Sequence, residues 1–404
     1  MKKKIEPKIR INGNYHTDWE KHKLGDLVYV YDGVHQTPNY QSEGVMFLSV
    51  ENIATLKSDK YISLEDYARD YRIKPEKGDI FMTRIGDVGT TNVLETDEDV
   101  AYYVSLALLK SKGIDTYFLA NAMKSPYFRK GLKERTLVTA IPQKINKDEI
   151  GKVDIFISAD DGERVKIGEY FRNIEKLLTV HQTEYTRLVC MRKAMLDKMF
   201  PQNGSNVPAV RFKQFTEPWI NKPFSEIFIE RHTIDTVSEE YPQLSFTIEE
   251  GVIRPEDRKT NKRDFLILDK ANKKYLQTEY DDIIYNPANV IYGAIHRNGL
   301  GKGCVSPIYK IFYTEQDSTF MECIVRHPRF INAISRSMEG TVKKLKTLKP
   351  EAFLKMSAYI APTIDEQKMI GQYFAHMDRL IEIEKEEIEK IQHIKSACLE
   401  KMFV

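Results

Sequence analysis

Two stretches of the chain carry apolar residues at a helical spacing. In the first, Ile167, Phe171, Ile174, Leu178, His181, Tyr185 and Leu188 follow alternating steps of four and three. In the second, Ile370, Phe374, Met377, Ile381, Glu384, Ile388 and Ile391 follow the same steps. That spacing predicts a heptad seam on each of two helices. Thr363-x-x-Glu366 is a capping-box start for the second helix, and Asp160-x-x-Glu163 takes the same place in the first. Each helix then runs some forty residues, about 60 Å. A helix with one apolar stripe is not stable alone in water. Its stripe can pack on its own globular unit or on the other stripe, and an antiparallel pair is the expected arrangement. His181 and Glu384 interrupt the seams at equivalent positions, where a polar residue sets register, faces a partner protein or is merely solvated.

The two helices belong to a repeat. Tyr170-Phe171 through Ala194, Leu196 and Lys198-Met199-Phe200 match Tyr373-Phe374 through Ala397, Leu399 and Lys401-Met402-Phe403 at a constant shift of 203 positions. Lys152, Ile157, Glu163, Ile167 and Gly168 match Lys355, Ile360, Glu366, Ile370 and Gly371 in that register. Each half opens alike, with Pro7-Lys8-Ile9-Arg10-Ile11 answering Pro208-Ala209-Val210-Arg211-Phe212. Trp19 and Trp219, the only tryptophans, follow. Little aligns between these borders. A period this long means domain duplication. The expected fold class is α+β: two mixed α/β units (1–152 and 204–355) separated by two long antiparallel coiled-coil helices (153–203 with its linker, and 356–404), as a pseudo-two-fold repeat.

The divergent middles read as strand-rich. Lys77 to Gly86 is a turn, a strand and a Gly-bounded loop; Val100 to Lys110 is a strand; Asp115 to Lys133 is a helix broken near Ser125-Pro126. In the second unit, strands at Asp282–Tyr285 and Val290–Ile295 precede the loop His296 to Gly303, and a helix from Ser318 to Ser337 breaks near Pro328. A basic polar segment lies before each long helix, at Arg135–Lys144 and Gly340–Lys346. Arg and Lys neutralise phosphates, and Arg, Lys, Gln and Asn read base edges. The candidate DNA-contacting residues are Thr83, Arg84, Gln143 and Lys144 in the first unit. In the second they are His296, Arg297, Asn298, Lys302, Lys343, Lys344 and Lys346. Each is otherwise an ordinary residue of a solvated turn.

Composition adds little. The 404 residues are 42% hydrophobic and 30% charged, an ordinary globular balance. Net charge is only +2, so any nucleic-acid surface must come from local segregation of charge or from a larger complex. Cys190, Cys304, Cys323 and Cys398 are scattered, which suggests a reducing, cytoplasmic setting and no structural metal. Met1-Lys2-Lys3-Lys4 lacks the apolar run of a signal peptide, and no stretch is long enough to span a membrane.

Catalytic signatures are missing. Asn286-Pro287-Ala288-Asn289 is similar to the adenine-methyltransferase amine-holding motif but lacks its second proline and its aromatic. No Gly-rich strand-to-helix loop suits S-adenosylmethionine. Gly299-Leu300-Gly301-Lys302-Gly303 lacks the earlier glycine and the following Ser/Thr of a P-loop. The expectation is a chain with no catalytic residues.

The chain resembles the specificity (S) subunit of type I restriction–modification systems over essentially its whole length. The resemblance rests on the two openings, Gly78-Asp79-Ile80-Phe81 with Arg84-Ile85-Gly86, Tyr285-Asn286-Pro287 leading to Gly303 and Ser306-Pro307, Pro362 with Glu366-Gln367 and Ile370, and the Lys-Met-Phe helix ends. Ala159 and Arg164 depart from Pro362 and Gln367 of the second copy. The resemblance implies two target-recognition domains reading a bipartite double-stranded DNA sequence. It implies two methyltransferase (M) subunits as partners and, through the complex, restriction (R) subunits. S-adenosylmethionine, ATP and Mg would belong to those partners and none to this chain. The reading from a different class is a coiled-coil interaction scaffold with no DNA role.

Overall fold

The computed structural model describes residues 6–11, 18–202, 204–258, 273–337 and 347–403. The chain forms two compact units, residues 1–183 with 385–404, and residues 184–384. Each unit takes in the start of one long helix and the end of the other. The first long helix spans Asp161–Met199 and the second Ile364–Met402. Among the described residues no helix is long and apolar enough to cross a membrane.

The capping residues work as the sequence pattern predicts. Asp160 Oδ1 accepts the Glu163 amide at 2.8 Å, and Thr363 Oγ1 accepts the Glu366 amide at 3.3 Å. The glutamates of the two boxes turn inward instead of back to the cap. Buried Glu366 takes a bidentate grip from Arg211 at 2.6 and 2.8 Å and a bond from Trp219 Nε1 at 3.3 Å. Buried Glu163 accepts from Ser158 Oγ at 2.5 Å and lies 3.8 Å from Arg10. The repeated opening Arg and the repeated first-turn Glu therefore meet in each unit, because a buried carboxylate needs a paired charge.

The middles, which share little sequence, share their topology. Unit one has a four-stranded antiparallel sheet in the order Val28–Asp32, Leu106–Ser111, Ile80–Thr83, Thr91–Val93. Unit two repeats the order with Phe228–Glu230, Lys310–Thr314, Ile283–Tyr285, Ile295–Arg297. A border strand pair accompanies each sheet, Trp19–Lys23 with Asp154–Ser158 and Ile220–Pro223 with Ser357–Ile360. The 203-residue register even holds inside the sheets. Asp79 accepts the Glu76 amide at 2.7 Å, and Asp282 accepts the Glu279 amide at 2.7 Å. Gly78 and Asp281 both take positive φ at that turn, +93° and +72°. The strand motifs, read from sequence as unmatched, match at these positions. Glu76, Asp79 and Ile80 recur as Glu279, Asp282 and Ile283, so the turn, its buried aspartate and the first strand residue are shared.

Each unit is closed by an aromatic cluster. In unit one Trp19, Phe118 and Phe171 surround Phe403 with ring centroids 5.6–5.9 Å from it. In unit two Trp219, Phe320 and Phe374 surround Phe200 at 5.6–6.0 Å. Each buried ring contributes roughly 1.5–3 kcal/mol by area. The Lys-Met-Phe signature is thus the end of one long helix sealing the core built around the start of the other. Ile9 donates its amide to Lys401 O at 3.0 Å, and Val210 donates to Lys198 O at 2.9 Å, the same bond in both units.

Both partners foreseen for the apolar stripes are used. Ile167, Phe171, Ile174 and Leu178 join the core of unit one together with Ile391 and the half-buried Ile388. Ile370 and Phe374 join that of unit two with Leu196. Leu188 and Met377 are buried, and Tyr185 and Ile381 half-buried. The helix pairing is antiparallel. In unit one Glu175 meets Lys395 at 2.6 Å, and in unit two Arg192 pairs with Asp378. The second pair is the first displaced by 203 residues.

Candidate nucleic-acid interface

In unit one the two candidate loops come together. Thr83 closes the loop after its strand: its Oγ1 accepts the Thr90 amide at 2.9 Å, and its carbonyl accepts the Gly89 amide at 2.8 Å. Arg84 is buried, pairs with Asp32 and donates Nε–H to Ile145 O at 3.2 Å. Its own carbonyl accepts the Ile145 amide at 3.0 Å. Gly86 and Gln143 bond reciprocally, Gly86 N to Gln143 O and Gln143 Nε2 to Gly86 O, each at 2.9 Å. Lys144 bridges to Leu137 through the backbone while its side chain is exposed. So Thr83 and Arg84 hold the loops, and of the four candidates Gln143 and Lys144 face outward.

Unit two buries two of its four described candidates. His296 is buried and hydrogen-bonded through Nε2 to Ile248 O at 2.8 Å. Burial, with the nearby Arg326 charge, lowers its pKa to about 4, so it is neutral at physiological pH. Arg297 is mostly buried, against Asp281 at 2.8 Å and Glu322 at 3.4 Å. Asn298 is fully buried. It donates to Thr278 Oγ1, Glu279 O and Gly301 O at 3.1, 2.9 and 2.7 Å and accepts the Leu300 amide at 2.9 Å. Such commitment builds a loop rather than reads a base. Lys302 is exposed, paired with Glu240 and 5.3 Å from the Tyr241 ring centroid. Lys343, Lys344 and Lys346 lie outside the described residues.

The structural counterpart of the Arg84 loop is a different segment from the one chosen by sequence. Leu348 donates its amide to Pro287 O at 3.0 Å, the bond that Ile145 makes to Arg84 O, shifted by 203 residues. The counterpart loop is therefore Asn286 to Ala294, at the opposite end of the Ile295–Arg297 strand from Asn298 and Lys302. Asn286 Oδ1 accepts the Ala288 and Asn289 amides at 3.0 and 3.2 Å, an Asx turn. The turn presents Tyr292, 65% exposed. A groove of about 510 Å³ beside it is lined by Glu230, His232, Lys310, Lys349 and Glu351 among others. Applying the repeat register to Arg84 would have located this loop. Among the described residues no three His, Cys, Asp or Glu side chains gather as a metal site.

Basic charge is concentrated in unit one's segment. Between residues 129 and 147 stand Arg129, Lys130, Lys133, Arg135, Lys144 and Lys147 against one acid, Glu134. Arg129 belongs to the short helix Pro126–Arg135, and its guanidinium lies against Gly89 of the Arg84 loop. Arg135 is paired with Glu149, 3.5 Å away, and the rest leave a basic run on a nearly neutral chain, the distribution a phosphate backbone attracts.

No protein-family model and no curated protein matches the sequence. Solved structures do. The type I restriction–modification system S subunit from M. genitalium superposes with a TM-score of 0.68 over 99% of both chains, at 14% identity. A type I R–M system structure on complex assembly and conformational transition gives 0.44 at 11% identity, over 94% of this chain and 96% of the other. The HsdS subunit from Thermoanaerobacter tengcongensis gives 0.39 at 12% identity, over 97% and 98%. The last two superpose too loosely to carry an argument. The duplicated sheets, the long helix pair and the first superposition agree: this chain has the fold of a type I restriction–modification S subunit along its whole described length.

Proposed function

We propose that the chain is the non-catalytic DNA sequence-specificity subunit of a type I restriction–modification complex. Each unit reads one half of a bipartite duplex target, and the long helices set the spacing and bind two methyltransferase subunits. The carrying observation is one topology built twice with different surface loops, since two equivalent frames with unlike loops suit two unlike half-sites on DNA. The cationic segment of unit one supplies phosphate contacts.

A second, outward stripe on the long helices supports two copies of one partner. Leu177, Val180, Glu184, Arg187 and Met191 on the first helix correspond in class to Leu380, Ile383, Glu387, Lys390 and Ile394 on the second. Leu177 and Val180 are 46% and 62% exposed, Ile383 and Ile394 43% and 44%. Even the ion pair is repeated, Glu184 with Arg187 at 2.6 Å and Glu387 with Lys390 at 3.3 Å. S-adenosylmethionine, ATP and Mg belong to the partner subunits in this reading, and restriction subunits join through the complex in the cytoplasm.

The test is methylation mapping. Co-expressed with a cognate methyltransferase subunit, the chain directs adenine methylation to a two-part sequence with an unread spacer. Lys144→Glu alters preference in one half of that sequence only. Equal disturbance of both halves, or a contiguous target, would defeat the assignment of one unit to one half-site.

A further inference from the structure

The cationic segment of unit one ends in an apolar tip. Leu137, Val138 and Ile141 are 45%, 62% and 100% exposed. The tip is tied at its base. Leu137 donates its amide to Lys144 O at 2.8 Å, Ala140 donates to Leu137 O at 3.3 Å, and the reciprocal Gly86–Gln143 bonds fasten the loop to its neighbour. An apolar tip alone does not say what covers it. The basic run that flanks it does: Arg129, Lys130, Lys133, Lys144 and Lys147, with Arg135 already held by Glu149 at 3.5 Å, call for a polyanion.

What duplex DNA offers such a tip is narrow. Base edges present hydrogen-bond donors and acceptors, and the apolar group among them is the 5-methyl of thymine in the major groove. Apart from the Thr139 hydroxyl, the side chains of the tip, Leu137, Val138, Ala140, Ile141 and Pro142, have no donor to place against a polar edge. We infer that Ile141, flanked by Leu137 and Val138, recognises a thymine 5-methyl group in the half-site of unit one, while the basic run neutralises the flanking phosphates. This rests on the proposed DNA reading and names the chemical group that one loop selects.

The experiment uses the complex of the full chain with its methyltransferase subunits and a duplex carrying its mapped target. Each thymine of the half-site is replaced in turn by deoxyuridine, which deletes only the methyl group. One replacement should weaken binding about fourfold, the equivalent of ~0.8 kcal/mol for a buried methyl-sized group. Ile141→Ala should weaken binding to the thymine duplex by a similar factor and abolish the difference between the two duplexes. A methyl effect that persists in Ile141→Ala overturns the inference. So does a half-site with no thymine whose methyl matters. An Ile141→Ala complex that binds DNA normally but loses methyltransferase subunits would make the tip a protein-docking surface instead. Lys144→Glu separates the two levels: if it weakens DNA binding and the methyl test fails, only the inference falls. If it leaves binding unchanged, the DNA reading of unit one falls as well. Ile141 is fully exposed, so its truncation leaves the fold undisturbed.

Discussion

Gly168 and Gly371 show how closely single residues constrain the two units. Each lies where a long helix crosses the start of a short one. A Cβ on Gly168 would sit 2.1 Å from Asp115 Oδ1 and 2.9 Å from the Phe118 amide nitrogen. On Gly371 it would sit 2.2 Å from Thr319 Oγ1 and 2.7 Å from Asp317 Oδ1. Asp115 and Asp317 cap the short helices by accepting the Phe118 and Phe320 amides at 2.7 and 2.8 Å, so neither can swing away freely. Gly168→Ala should cost roughly 1–3 kcal/mol through overpacking, read as a lowered urea midpoint; an unchanged midpoint would show that the helices part without cost. His296 makes the second residue-scale prediction. Its folded pKa of about 4 lies below the ordinary 6.5. Above that ordinary value both folded and unfolded forms are neutral. As pH falls from there toward 4 the unfolded chain takes the proton first, so stability is lost. Urea titrations of parent and His296→Gln should diverge in that window by up to about 1.4 kcal/mol per pH unit, with the parent losing more. Parallel pH profiles would contradict the assignment. Neither residue's neighbours can be read from sequence. The match of Gly168 with Gly371 was visible, but the aspartate facing each was not.

At the scale of elements, the long helices were legible because their signals are local: a stripe at fixed steps and a capping residue at the start. The pairing residues obey the same repeat. Glu175–Lys395 and Arg192–Asp378 are one interaction built twice, with the acid on the first half of a helix and the base on the second half of its partner. Lys124 also approaches Glu175, at 3.5 Å. Glu175→Lys would set three cations together and should destabilise unit one by about 1 kcal/mol, the upper range for a partly exposed pair. Adding Lys395→Glu should recover part of that loss, and a double-mutant cycle with no coupling would remove the pair as a register device. The sheets were harder to read. Their strands run three to six residues, too short for periodicity to align the two middles. The common topology became visible only through the strand order and the shared Asp79/Asp282 turn.

For the whole molecule, the proposed reading ties helix length to target spacing. Both long helices have 39 residues. Inserting one heptad at equivalent points in both keeps the seam in phase and lengthens each by about 10 Å. The mapped methylation target should then carry a spacer about three base pairs longer, at 3.4 Å per pair; an unchanged spacer would sink the link. Residue order alone disclosed the duplication, the two long helices with their seams, and the match between their ends, since repeats and heptads are local patterns; that those ends seal the two cores came from the aromatic contacts. Long-range packing set which polar residues are available. Thr83, Arg84, His296 and Asn298 read as loop-facing candidates and are buried, because a polar side chain is drawn inward wherever distant parts of the chain supply its partners. Structure also made Asn286–Ala294, and not the candidate segment His296–Gly303, the equal of the Arg84 loop. That equivalence rests on one hydrogen bond to a segment some sixty residues away, and no local pattern records it.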